Sequence, residues 1–540
     1  EKQQIDIIKK KTMKKIVLFF ILIYTFIPIQ SQIIYYVREN GVDDLARCGV
    51  TEDDAFRTVH FAIKQCSALS MIIDVAGTLA HRNDTIPPDK TVTIQCSQPE
   101  KAILDVPLNE TGRHFYLTGN CELRLNNIIL QNGNMDNTEY GGAIFAQYAI
   151  DDSGIGIPVL KCENVDFIAN SCGTAGACYL NGATADFEKC TFSDNKAEYN
   201  ATGRGNSGAI LAMSKEQPLT MDIKQCLFLN NSAVNTGGAI RIYASSQTDV
   251  IIENNTFYQN QTYQQGNICL EGTEAPLSPK DERNITFTNN TISQNTAQKG
   301  NQTGGIYLKT LNDVVILRNN LIFDNTYASV QCNTISAKLK IAKNNITDNT
   351  VAGTSDKGLI MNITGNYDSR TGNLLVNEEE KVIQPASVAG KYILADNDLQ
   401  NNGGATLTLA INEGSCAIDA GTTEQAPQSD QRGYPRRGKP DVGAYENDGE
   451  FLPILKNEIS PTADIYPNPF QNSIRFNPGI QAKAVYIYNL LGQFILQKSV
   501  WDNQADLSQL PPGQYIILIQ SDITPGKKNI LIKSPADILQ

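Results

Sequence analysis

The chain has 540 residues, 45 Lys+Arg against 57 Asp+Glu, and a formal net charge of −12. Single compact cores rarely grow past about 250–300 residues, so one large repetitive domain with a smaller companion is expected. The acidic balance offers no basic stripe for phosphate neutralisation, which argues against nucleic acid as a partner; only 19% of residues are charged, and the abundance of Asn, Gly and Thr points to an all-β chain of short strands and turns.

Residues 1–12, EKQQIDIIKKKT, precede a usable start at Met13 and are read as a non-native upstream extension. Residues 13–32, MKKIVLFFILIYTFIPIQSQ, combine Lys14 and Lys15 with an apolar run from Ile16 to Ile27. That run is shorter than the ~20 residues of a spanning helix, so the segment reads as a secretory signal peptide, cut after Ser31. Twelve cysteines suit an exported chain, and none stands in a CxxC pattern. Cys48 with Cys66 and Cys172 with Cys178 are candidate local disulfides, with connectivity left open. His60, His81 and His114 lie in the first quarter of the chain without the spacing of zinc ligands.

The stretch 51–66, TEDDAFRTVHFAIKQC, has a Thr cap, acids in its first turn, and Phe56, Val59, Ile63 and Cys66 near one face. It predicts one amphipathic helix plugging the end of a repeat array. SMIIDVAGTL and KTVTIQC then read as opening strands.

From residue 125 one phrase recurs: a short β run, an Asn-rich turn, and a Gly-rich pair opening another β run. The turns close at Asn132, Asn170, Asn195, Asn231, Asn260, Asn295, Asn325 and Asn349, at spacings of 24 to 38 residues. A constant core with inserted loops is solenoid behaviour, and apolar residues alternating with polar ones mean strands. Coils stacked at ~4.8 Å place like above like, so the closing Asn residues are expected to form a hydrogen-bonded ladder. Five residues earlier, a second column reads Asn127, Val165, Cys190, Cys226, Asn255, Asn290 and Asn320. Parallel Cβ vectors favour Cys190 and Cys226 as stacked buried thiols over a disulfide. The glycosylation sequons Asn254-Asn255-Thr256 and Asn289-Asn290-Thr291 fall on the ladder and read as structural. In the position before the closing Asn, Asp324 and Asp348 are candidates to stack as a carboxylate pair, weighed below ordinary turn chemistry.

With its N-terminal helix, Gly-turn strands and Asn ladder, the chain resembles the pectate-lyase-like superfamily over about residues 33–446. The resemblance implies a right-handed parallel β-helix with an N-terminal capping helix. Within it, residues 403–446 resemble the choice-of-anchor Q element through Gly403, Gly404, the string SCAIDAG, Asp430, Arg432, Gly433, Asp441, Gly443 and Glu446. The four charged residues are expected to form a paired-charge clasp closing the last coil.

After a linker at 447–462 the ladder disappears, and Tyr/Ile/Val strands alternate with NPF, LLGQ and PPGQ turns. Residues 463–540 predict a small antiparallel β-sandwich of about seven strands. This segment resembles the type IX secretion sorting domain of Bacteroidetes through Tyr466, Pro467, Asn468, Pro469, Gly492, Gly513 and Tyr515. The resemblance implies the type IX machinery as a partner, passage through the periplasm, and a surface or secreted destination. The tail is expected to be removed by cleavage near Asn447–Glu450 or just before Tyr466.

For the body, the expected role is adhesin-like and non-catalytic, holding extracellular polysaccharide or a host or surface protein. A polysaccharide lyase or glycoside hydrolase is the alternative. No catalytic residue, metal ligand or cofactor is assigned, Ca²⁺ being the candidate were the body a lyase.

Overall fold

The structure is a computed structural model that describes most of residues 33–349, the strands Leu374–Asn377 and Val382–Gln384, residues 395–447, and most of 465–533. The extension 1–12, the signal segment, linker residues 448–462, Cys66, and the motif residues Pro467, Asn468, Pro469 and Gly492 lie outside the described residues. The chain divides into two compact units, Glu1–Asn447 and Asp448–Gln540.

The first unit is a right-handed parallel β-helix. One coil shows the plan. Val159–Glu163 lies in an eleven-stranded sheet, Asp166–Ile168 in a twelve-stranded sheet, and Cys178–Asn181 in a nine-stranded sheet. The pair Ser171–Cys172 adds a small five-stranded sheet, so the middle coils have four strands. Alternation sends one set of side chains inward, and Phe167, Phe192, Phe228 and Phe257 stack through the core with ring centroids 4.6 to 4.7 Å apart. That spacing is the rise of one coil.

The corners are built from left-handed residues. Asn164, Lys189, Gln225, Asn254, Asn289 and Asn319 share φ of 53° to 57° at the first corner, where the residue after each turns its side chain inward. At the Gly-rich corner, Gly142, Gly176 and Gly208 must be glycine, because a Cβ on each would collide with the carbonyl of the next coil.

The N-terminal cap differs from the expected single helix. Thr51 heads a 3₁₀ turn, Glu52–Asp54, with no side-chain cap bond, and the α-helix is the shorter Val59–Gln65. Its cap is Thr58, whose hydroxyl accepts from the Phe61 amide at 3.1 Å. Phe56 pairs in parallel with Val37, and Val59, Ala62 and Ile63 bury against the first coil.

The second unit is the expected antiparallel sandwich. A three-stranded sheet (Ile465–Tyr466, Ser473–Phe476, Gln504–Asp506) accompanies a four-stranded sheet in the order Phe494–Ser499, Ala482–Tyr488, Gly513–Ser521, Lys527–Lys533. Phe470, Ile474, Phe476, Val485, Ile487 and Ile517 are among its core.

Candidate functional site

The ladder runs through Asn170, Asn195, Asn231, Asn260, Asn295 and Asn325. From Asn195 onward each carboxamide oxygen accepts from the backbone and side-chain nitrogens of the Asn one coil earlier, as Asn231 does from Asn195 at 3.1 and 2.9 Å. Each nitrogen also donates to a main-chain carbonyl of the preceding coil, Asn231 to Phe192 at 2.8 Å. Asn132 stands outside this column. The register Gln131↔Ile168 sets it across from Ala169, and Gly133 takes the ladder place, its amide donating to Asn170. Asn127 is likewise one residue early, opposite Asn164, to which it is bonded. At the other end the register Ile322↔Thr347 counts Asn349 opposite Asp324 and Asp348 opposite Phe323. The proposed Asp324 and Asp348 stack is therefore out of register.

The second column is Asn255, Asn290, Asn320 and Asn345, extended by two thiols. The Cys226 amide donates to Asn255 and the Cys190 amide to the Cys226 sulfur. Both cysteines are free, and burial holds the Cys226 thiol well above its ordinary range. Cys172 and Cys178 are also buried free thiols rather than a disulfide, because they belong to different strands, of different sheets, on either side of the Gly-rich corner.

The 403–446 segment does not close the last coil. It lies sideways across corners of successive coils: Gln225 donates to the Asp430 carbonyl, Asn254 to Ser429, Asn289 to Asp441 and Asn319 to Thr422. Its charged residues are satisfied within this strap. Asp430 accepts from the Arg432 side chain and from the amides of Arg432, Tyr434 and Glu446. Glu446 accepts from Arg436 at 2.8 Å and from the Arg437 and Asp441 amides. The Arg432 guanidinium lies between the rings of Tyr434 and Tyr445, 4.0 and 3.7 Å from their centroids. Burial raises Asp441 to about 6 against the amide bonds from Asn447 and Asp419. These residues pin the strap and leave little capacity for a substrate.

Two groups outside the repeat columns have functional character. On the outward face of the nine-stranded sheet, Tyr116, Phe145 and Tyr179 stack with centroids 4.8 and 5.1 Å apart. Tyr140 lies against Tyr179, and the Arg113 guanidinium over the Tyr116 and Phe145 rings. Farther along this sheet, Glu271 bridges Arg241 and Lys309. Burial alone would raise the Glu271 carboxyl, but the bond from Lys309 and the charge of Arg241 outweigh it and hold the group below its usual range.

The second group unites all three histidines of the chain. His60 of the capping helix and His81 both bond Asp84, at 2.6 and 2.9 Å, and His81 meets His114 at 3.1 Å. His60 and His81 border a pocket of about 230 Å³ lined also by Thr58, Arg82, Pro107 and Glu110, among others. Sequence reasoning missed this cluster because coil stacking, not local spacing, brings the three together. Among the described residues no group of three or more His, Cys, Asp or Glu is arranged as metal ligands, and no helix is long and apolar enough to cross a membrane.

In the tail, Tyr515 lies on the inner strand Gly513–Ser521 and donates its hydroxyl to the Pro511 carbonyl at 2.6 Å. Tyr466 pairs with Arg475 across the smaller sheet.

No curated protein matches the chain. Among solved structures it is similar to a mutant of the PL6 family alginate lyase AlyGC, at 12% identity and a TM-score of 0.26; the alignment covers 70% of this chain and 58% of that one. A likeness at that level carries no argument about activity. Residues 464–533 match the family described as the secretion system C-terminal sorting domain, and the chain is thus a protein exported by type IX secretion to the cell surface or the surrounding medium.

Proposed function

We propose that this is a non-catalytic binding protein whose β-helix holds extracellular polysaccharide once the type IX machinery has delivered it. The row Tyr116, Phe145 and Tyr179 with Arg113 carries the reading. Tyr116 is exposed and Phe145 half-buried, backed by the buried Tyr179 and Arg113, and aromatic rings held at the surface on a fixed base have the makeup of a recognition surface. The rings stack on one another, so their inner faces are occupied. Sugar contact falls to the ring edges and to the Tyr116 face on the side of Thr85, the small residue paired beside it. The Arg241, Glu271 and Lys309 triad supplies polar partners on the same sheet.

The strap at 403–446 is proposed to be a choice-of-anchor Q element of a Bacteroidetes protein, holding neighbouring coils in register. The tail is proposed to be an address removed after translocation; the intact mass of the native extracellular form decides this, and residues 463–540 still attached would defeat removal. A glycan array comparing the parent with Tyr116→Ala and Phe145→Ala tests the binding role. Selective loss of a polysaccharide signal in the variants is expected. An array silent for the parent, or capture of a surface protein unaffected by both changes, would sink it.

A further inference from the structure

Hydrogen-bond chemistry determines where the protons of the histidine cluster reside. The Gln131 carbonyl can only accept, so His114 donates to it through Nε2 at 3.0 Å. Burial and the neighbouring His81 push His114 well below the ordinary imidazole range, leaving its Nδ1 a bare acceptor for the Nδ1–H of His81. Asp84 engages both His81 and His60, one through each carboxyl oxygen. His60 thus meets Asp84 through Nδ1 and His81 meets it through Nε2. The consequence lies at the surface: His60, with its side chain 55% exposed, lines the pocket, its Nε2 outside the bond to Asp84.

We infer that this pocket is a recognition subsite for a single sugar residue. His60 Nε2 and the Glu110 carboxylate accept from sugar hydroxyls, and Arg82 donates to one. Arg82 bonds Glu110 at 2.8 Å and the Thr111 carbonyl at 3.3 Å, two uses of a group with five donors. Ala80 and Pro107 supply an apolar wall for the ring. The volume, about 230 Å³, is below the ~300–1,000 Å³ of sites for larger ligands and suits one ring rather than a chain. The inference rests on the polysaccharide-binding reading and adds where one residue of the polymer is held.

The test uses the full chain labelled with ¹⁵N, whose three histidines give three imidazole spin systems in long-range ¹H–¹⁵N spectra. The probes are the methyl glycosides of glucose, galactose, mannose and N-acetylglucosamine at tens of millimolar. The free protein should show His60 protonated on Nδ1, and at least one glycoside should shift the His60 signals to saturation. His60→Phe, at an exposed position, and Glu110→Gln, at a half-buried one, should each weaken that binding roughly tenfold, read on the remaining pocket signals. A His60 proton found on Nε2, signals unmoved by all four glycosides, or undiminished binding in both variants overturns the inference. Array binding that survives beside a silent His60 removes the subsite alone, whereas an array silent for the parent removes the broader reading.

Discussion

Replacing Asn231 with leucine removes one rung of the ladder at nearly constant volume. Four groups then lose a partner: the Phe192 carbonyl, the Asn260 carboxamide oxygen, and the backbone and side-chain nitrogens of Asn195. All lie where water does not reach, since Asn195, Asn231 and Asn260 are 0% exposed. The Asn260 oxygen keeps the Asn231 amide and the Asn195 side-chain nitrogen keeps the Phe167 carbonyl, so two groups are orphaned, and at about 1–3 kcal/mol each Asn231→Leu loses about 2–6 kcal/mol. Asn132 is the control. It shares the Asn-rich turn but stands outside the column, with one side-chain bond to Asp105 and a φ of 60° that glycine adopts freely. Asn132→Gly should therefore cost no more than about 1 kcal/mol. Urea titration followed by far-ultraviolet circular dichroism compares them. If the two midpoints lie within about 1 kcal/mol of each other, the ladder does not have the role assigned to it.

Arg432→Met should cost about 3 kcal/mol by leaving the fully buried Asp430 without a countercharge, seen as faster hydrogen exchange across 395–447 with the coils beneath unchanged. His114 is neutral when folded and takes a proton near its ordinary value of about 6.5 when unfolded. Its contribution is complete above that pH and is lost as the pH falls below it. Asp441, raised to about 6 by burial, works in the opposite direction, because the folded form binds its proton first. Exchange corrected for intrinsic rates should therefore accelerate at 113–118 between pH 7.5 and 5.5 but not at 417–447, and a uniform response would count against this assignment. Among the described cysteines, Cys48 is the exposed one, so iodoacetamide should modify it while Cys162, Cys178 and Cys226, whose thiols burial holds well above their ordinary range, stay unmodified until unfolding. Peptide mass analysis reads the result.

Repetition made most of the fold legible. Each β run with its closing Asn is a copy of its neighbour, so the stack and its inner column could be read directly from Asn195, Asn231 and Asn260. The ends of the column were harder, because a one-residue difference in turn length moves Asn132 and Asn349 out of register while preserving the motif. The 403–446 strap was recognised as a charged clasp, but its placement depended on side chains at Gln225, Asn254, Asn289 and Asn319 that look like ordinary turn residues. The histidine cluster and the aromatic row were not legible at all. Their members lie on the capping helix and on successive coils, one to each, and only the winding of the β-helix brings residues 60, 81 and 114, or 116, 145 and 179, into contact.

The central claim is that the body binds polysaccharide without cutting it. The most direct measurement incubates the extracellular form with an array-positive polymer and follows polymer length, new reducing ends and unsaturated ends over time. Retained length with a stable complex is predicted; steady release of shortened or unsaturated sugars by the purified protein would contradict the account.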